Sequence, residues 1–145
     1  MSGLRIAFLS PAYPPEQRGF TRGLAQIGAT VIGVGDGPEA GVDAETRRHL
    51  SAWVQCPRLF DEAAAAAYLV PVLARAGVDR VITNWEPLIL LAATLRERLG
   101  LPGMTRDVAL GFRDKQVMKE RLAAAGIRVP RSRRVKTSTE AWAAA

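Results

Sequence analysis

The runs LRIAFLS (residues 4–10) and TVIGVG (residues 30–35), with one amphipathic segment between them, constrain the fold more than any other feature. Each is short and rich in large aliphatic or β-branched side chains, as expected of a strand covered on both faces. Between them, residues 16–27 place Phe20, Leu24 and Ile27 at i, i+4 and i+7, and Gly28 supplies a stop. That spacing predicts a helix with those three residues on its buried face. Strand, helix and strand in this order make a βαβ unit, which requires parallel strands.

The alternation continues. GDGPEAGVD is a turn-rich loop, AETRRHLSAW reads as a short helix and AWVQC as a short third strand. FDEAAAAAYLVPVLARA (residues 60–76) is helical, with Asp61 and Glu62 suited to the positive end of the helix dipole. Pro71 predicts a kink or break in it, and Gly77 ends it. DRVITNW is a further strand, and PLILLAATLRERLG opens at Pro87 and runs helical to Gly100. The expected architecture is α/β: a Rossmann-like open parallel sheet with helices on both faces.

Composition narrows the function. The single cysteine, Cys56, forbids an intrachain disulfide, and neither it nor the one histidine, His49, stands in a zinc-ligand spacing pattern, which argues against a zinc site. No segment approaches the roughly 18 apolar residues of a membrane span, which predicts a cytoplasmic protein with no membrane partner. The net charge is +6, but residues 128–136 (RVPRSRRVK) carry five cations and no acid. The remainder is nearly neutral, which argues against a nucleic-acid partner.

In an open parallel sheet, ligands bind beyond the carboxyl ends of the strands. The residues expected there are Ser10–Tyr13, Gly33–Asp36 and Thr83–Glu86. Asn84 or Glu86 could orient a polar substrate, although a carboxylate at Glu86 also suits the start of the next helix. Gly33, Gly35 and Gly37 spell GxGxG, but a dinucleotide fingerprint is GxGxxG running straight into a helix, so these read as turn residues. Tyr13 and Trp53 read as packing residues and Cys56 as a small hydrophobe. Further on, RDKQVMKERLAAAGIRVPR (residues 113–131) places Met118, Leu122 and Ala125 on one apolar arc, with Lys115 at its border and Lys119 further toward solvent. A lysine on such a rim either meets a phosphate as a point cation or simply lays its stem on the surface.

This last segment resembles the boundary helix of ATP-grasp ligases. Asp114, Lys115, Met118, Lys119, Gly126, Ile127 and Pro130 fall on its pattern, an Asp-Lys and Met-Lys helix followed by a Gly-Ile-x-x-Pro turn. The upstream FLSPAYPP, ATVIGVGDGP, NWEP and LRERLGLPG resemble the small α/β domain that precedes the ATP-grasp domain. The resemblance implies a pre-ATP-grasp domain over residues 1–104. It implies the boundary helix and first strand of a truncated α+β ATP-grasp domain over residues 105–145. It implies ATP-dependent carboxylate–amine or carboxylate–thiol ligation through an acyl-phosphate, with ATP and Mg2+ as cofactors and a homodimeric assembly. Lys115 matches a lysine that touches ATP phosphates; Glu86 matches a glutamate that faces the shared substrate cleft, Arg113 falls near that cleft, and Asn84 joins it as a candidate from its place at the sheet edge. No catalytic residue or metal ligand is assigned within the chain. Magnesium ligands are expected beyond residue 145, so the 145 residues alone are expected to be inactive. Two alternatives stay open. RIAFLSPAYPPEQRG is also similar to the start of a sugar-nucleotide glycosyltransferase, with Gly19 alone where that family has a pair, and a non-catalytic α/β binding module needs no further parts.

Overall fold

The computed structural model describes residues 3–144. The chain divides into two compact units, Met1–Ala109 and Leu110–Ala145.

In the first unit, β1 (Arg5–Leu9), β2 (Thr30–Gly35), β3 (Ala52–Gln55) and β4 (Arg80–Ile82) form one sheet in the order β3-β2-β1-β4. All pairings are parallel, with Phe8 opposite both Gly33 and Ile82. The helices are α1 (Gln17–Gln26), α2 (Ala44–Arg47), α3 (Glu62–Ala76) and α4 (Ile89–Leu99). The path steps outward from β1 to β3, then returns to the far side of β1. Right-handed crossovers therefore put α1 and α3 on opposite faces. The core agrees. Ala7, Leu9, Ile32, Val34 and Val81 pack with Leu69 and Leu73 of α3 and Leu91 and Leu95 of α4. Each such leucine, fully buried, is worth about 2 kcal/mol. Alanines 65 and 66, both fully buried, hold α3 close to the sheet. Asp61 caps α3 by accepting from the Ala64 amide at 3.0 Å, and Gly77, at φ 61°, terminates it in the left-handed conformation.

Several expectations are corrected. On α1 the buried residues are Gln17 and Thr21, while Phe20 and Ile27 are 54% and 79% exposed. The hydroxyl of Thr21 donates to the Pro11 carbonyl at 2.9 Å, so a polar contact anchors this helix to the loop after β1. Pro71 does not break α3. The carbonyl it leaves without a helical partner belongs to Ala67 on the exposed face, where water can satisfy it. Gly33 and Gly35 are not turn residues but lie inside β2 beneath Trp53, where a Cβ on Gly35 would come within 2.4 Å of the indole ring.

Helix α5 (Arg106–Arg113) spans the division between the units. The second unit holds α6 (Lys115–Ala124) and α7 (Ser138–Ala144). The strand expected after Pro130 is absent among the described residues; residues 127–135 have no regular structure, because no neighbouring strand offers them a ladder. Helix α7 is capped by Thr137, whose hydroxyl accepts from the Glu140 amide at 3.1 Å.

Candidate functional site

The loops at the carboxyl edge of the sheet build the candidate site. The chain reverses its direction of travel across the sheet between β1 and β4, the place where folds of this kind put their ligands. Ser10 begins the first loop with φ 56°, an unusual conformation for a residue with a Cβ. Its amide donates to the Val34 carbonyl at 2.8 Å and its hydroxyl to the Tyr13 carbonyl at 2.6 Å, which hold the turn in place.

The β4 loop carries Thr83, Asn84, Trp85 and Glu86. The Thr83 hydroxyl accepts from the Trp85 amide at 3.2 Å and donates to the Leu9 carbonyl at 3.4 Å, tying this loop to the end of β1. Trp85 is half-buried, with Tyr13 and Phe60 edge-on to it at centroid distances of 4.9 and 5.4 Å. These contacts fix the loop and leave Asn84 and Glu86 exposed on either side of the indole. Glu86 also opens a 3-10 turn, Glu86–Leu88, that leads into α4. Its place as the first residue of a helical segment and its place at the sheet edge therefore coincide. The Tyr13–Trp85–Phe60 cluster was not readable from sequence, since it joins three loops; the aromatic residues themselves were the only signal.

A concavity of about 170 Å³ lies between the loops after β1 and β2 and is lined in part by Ser10, Tyr13, Asp36 and Trp53. Trp53 is held across β2 by its indole N–H, which donates to the Gly37 carbonyl at 3.1 Å.

In the second unit, Arg113 ends α5 and Lys115 begins α6, and both are exposed. Between them Asp114 caps α6: its Oδ1 accepts from the Gln116 and Val117 amides at 2.8 and 3.2 Å. The Arg134 guanidinium reaches both carboxylate oxygens, at 2.6 and 2.8 Å. Arg134 first, then these amides, hold the Asp114 carboxyl below its ordinary pKa. The expected order of the two lysines is reversed. Lys119 is half-buried beside Val129 and Pro130, which fold back along α6, whereas Lys115 projects from the capped end. An exposed ammonium on the first turn suits a phosphate. Among the described residues no three His, Cys, Asp or Glu side chains converge on a possible metal position. Nor is any helix among them long and apolar enough to cross a membrane.

A parallel doubly wound sheet with helices on both faces defines a Rossmann-like α/β domain. Residues 25–103, more than half of the chain, match the ATP-grasp N-terminal domain family, and the chain belongs to that family. Among solved structures it is similar to an L-amino acid ligase from Bacillus licheniformis, at TM-score 0.73 and 20% identity over 90% of this chain and 32% of that one. It is also similar to phosphoribosylglycinamide synthetase from Anaerococcus prevotii, at TM-score 0.74 and 17% identity over 95% and 33%. At these identities the likeness establishes the fold, and the chain spans about a third of the length of either relative. No curated protein is matched by the sequence.

Proposed function

We propose that this chain is the N-terminal part of a cytoplasmic, ATP-dependent ligase. That ligase activates a carboxylate as an acyl-phosphate and joins it to an amine or thiol. The observation that carries this reading is the family match over residues 25–103, on a sheet whose carboxyl edge presents Glu86 and Asn84. In this reading residues 1–104 form the leading domain and residues 105–145 begin the nucleotide-binding one. Lys115 offsets charge on the ATP phosphates, Glu86 and Asn84 orient the substrate, and Arg113 stands near the substrate cleft. ATP supplies the phosphoryl group. Magnesium is held by residues outside the 145, so the chain alone catalyses nothing. A homodimer is the proposed assembly.

The test is an assay of ADP release by the intact gene product, with panels of carboxylates and amines, for wild type, Lys115→Ala and Glu86→Gln. The expected result is turnover that requires both substrates. Lys115→Ala raises the KM for ATP about tenfold or more, as expected for loss of a charge-assisted contact. Glu86→Gln impairs use of the carboxylate or amine with ATP affinity retained. Wild-type rates in Lys115→Ala would remove that lysine from the site. An intact product that binds no nucleotide would remove the ligase reading altogether.

A further inference from the structure

Among the described residues, both ring-on-ring contacts meet at Trp85. Tyr13, Phe60 and Trp85 come from the loops after β1, β3 and β4, so three separate loops at the carboxyl edge contribute a ring. Trp85 is the fixed member. Its indole packs against the core, and its amide donates to the Thr83 hydroxyl at 3.2 Å. Tyr13 and Phe60 stand nearly perpendicular to it, at interplanar angles of 76° and 89°. The loops that carry these two rings are also held by polar contacts. The Ser10 hydroxyl donates to the Tyr13 carbonyl at 2.6 Å. Beside Phe60, Arg58 pairs with Asp61, whose amide donates to the Arg58 carbonyl at 3.0 Å. Even so, Tyr13 and Phe60 remain 58% and 56% exposed, whereas Phe8 and Leu9 of the adjoining strand are fully buried. Aromatic area is therefore left open at the edge where folds of this kind put their ligands.

A surface of rings held in place gains most from a guest that brings a further ring. The guest ring adds edge-to-face or offset contacts, and side chains already fixed have little rotamer freedom left to lose. Asn84 and Glu86, on either side of the indole, set polar groups beside this apolar surface. The combination suits a small molecule that is polar at one end and apolar at the other. We infer that the Tyr13–Trp85–Phe60 cluster selects the side chain of the substrate and takes an aromatic group in preference to a small alkyl one. Tyr13 and Phe60 are specificity residues in this arrangement; they meet the side chain and no reacting atom. The assignment to a substrate rests on the ligase reading, in which Asn84 and Glu86 orient the polar end. The affinity of the cluster for a ring does not depend on that reading.

The test is a titration of the 15N-labelled 145-residue chain with phenylalanine and, separately, with alanine, which share their polar groups and differ by the phenyl ring. It is followed at the indole N–H signals of the three tryptophans. The Trp85 signal is assigned by its loss in Trp85→Phe. The expected result is a saturable shift at Trp85 with phenylalanine and an affinity for alanine lower by about tenfold or more. Tyr13→Ala and Phe60→Ala, at exposed positions outside the core, should each weaken phenylalanine binding about three- to tenfold. Ile27→Ala, which removes an exposed apolar side chain just ahead of the start of β2, should leave it unchanged. The inference is overturned by the absence of a saturable phenylalanine shift up to about 50 mM, by equal affinity for alanine or for glucose, or by full affinity in both Tyr13→Ala and Phe60→Ala. Phenylalanine binding by an intact product that binds no nucleotide would keep the aromatic surface and remove the ligase reading. ATP-dependent ligation that runs equally well on alkyl and aryl substrates would keep that reading and remove this inference.

Discussion

Replacing Gly35 with alanine tests whether Trp53 is locked over the sheet. A Cβ at position 35 would stand 2.4 Å from both Cζ2 and Cη2 of the Trp53 ring, whereas ordinary contact begins at 3.4 Å. The ring must therefore retreat by about 1 Å, the difference between the two. Retreat toward Gly33 is restricted by Leu50, whose Cδ1 lies 2.8 Å from the corresponding position there. Overpacking of this kind costs about 1–3 kcal/mol. Loss of the indole bond to the Gly37 carbonyl adds about 1 kcal/mol. Alanine is better than glycine in a strand interior by about 0.5–1 kcal/mol, which offsets part of this. The net expectation is a loss of about 2 kcal/mol. In a Trp53→Ala background the obstruction is gone, and Gly35→Ala should become neutral or stabilise by about 0.5 kcal/mol. Urea unfolding of the four proteins, followed by far-UV circular dichroism, closes the double-mutant cycle. A loss below about 0.5 kcal/mol in the wild-type background, or an equal loss in both backgrounds, would refute the argument.

Three further outcomes follow from contacts already described or from neighbouring ones. Glu62 accepts from Arg106 Nε at 2.6 Å and Nη2 at 3.0 Å and from the Thr94 hydroxyl at 2.6 Å; the Arg106 bond is the main reason its pKa is lowered. Its contribution is therefore present above the unfolded-state value of about 4.3 and is lost as pH falls through the lower folded value. Glu62→Gln should flatten the acid side of the stability profile by up to about 1 kcal/mol, since the half-exposed Arg106 is screened by solvent; superimposable profiles would count against the network. Burial raises the pKa of the Cys56 thiol, so a disulfide reagent should modify it far more slowly in native protein than in urea, and equal rates would contradict its packing. Asp114→Ala should speed amide exchange at Gln116 and Val117, whereas Asp114→Asn should preserve the cap but release Arg134; unchanged exchange in the alanine variant would exclude the cap.

The parallel sheet and its helices were legible because apolar runs and glycine stops obey local rules, as at residues 30–35 and at Gly77. The face of α1 was not. Periodicity pointed Phe20 and Ile27 inward, but the hydroxyl of Thr21 bonds the Pro11 carbonyl, and a loop distant in sequence decides which face is covered. Gly33 and Gly35 misled for a similar reason, because the ring that requires them comes from the neighbouring strand. For the site, the loops were predictable from strand order, and so was the placement of Asn84 and Glu86 at the sheet edge. The Tyr13–Trp85–Phe60 contacts and the bond from the Trp53 indole to the Gly37 carbonyl were not, because each depends on where side chains and backbone from separate segments meet.

Strand β4 borders the sheet with only three residues. Arg96 of α4 reaches across to it, donating from Nη1 to the Val81 carbonyl at 3.0 Å, and its guanidinium also contacts the Met104 carbonyl at 3.3 Å. A bare sheet margin is a template on which another chain can polymerise, and a charged side chain seated on it is a common deterrent. For another strand to extend the sheet at this point, Arg96 would have to give up its carbonyl, and the incoming backbone would have to replace a charged donor with a neutral one. Extension of the sheet from the β4 side therefore has to begin by displacing Arg96.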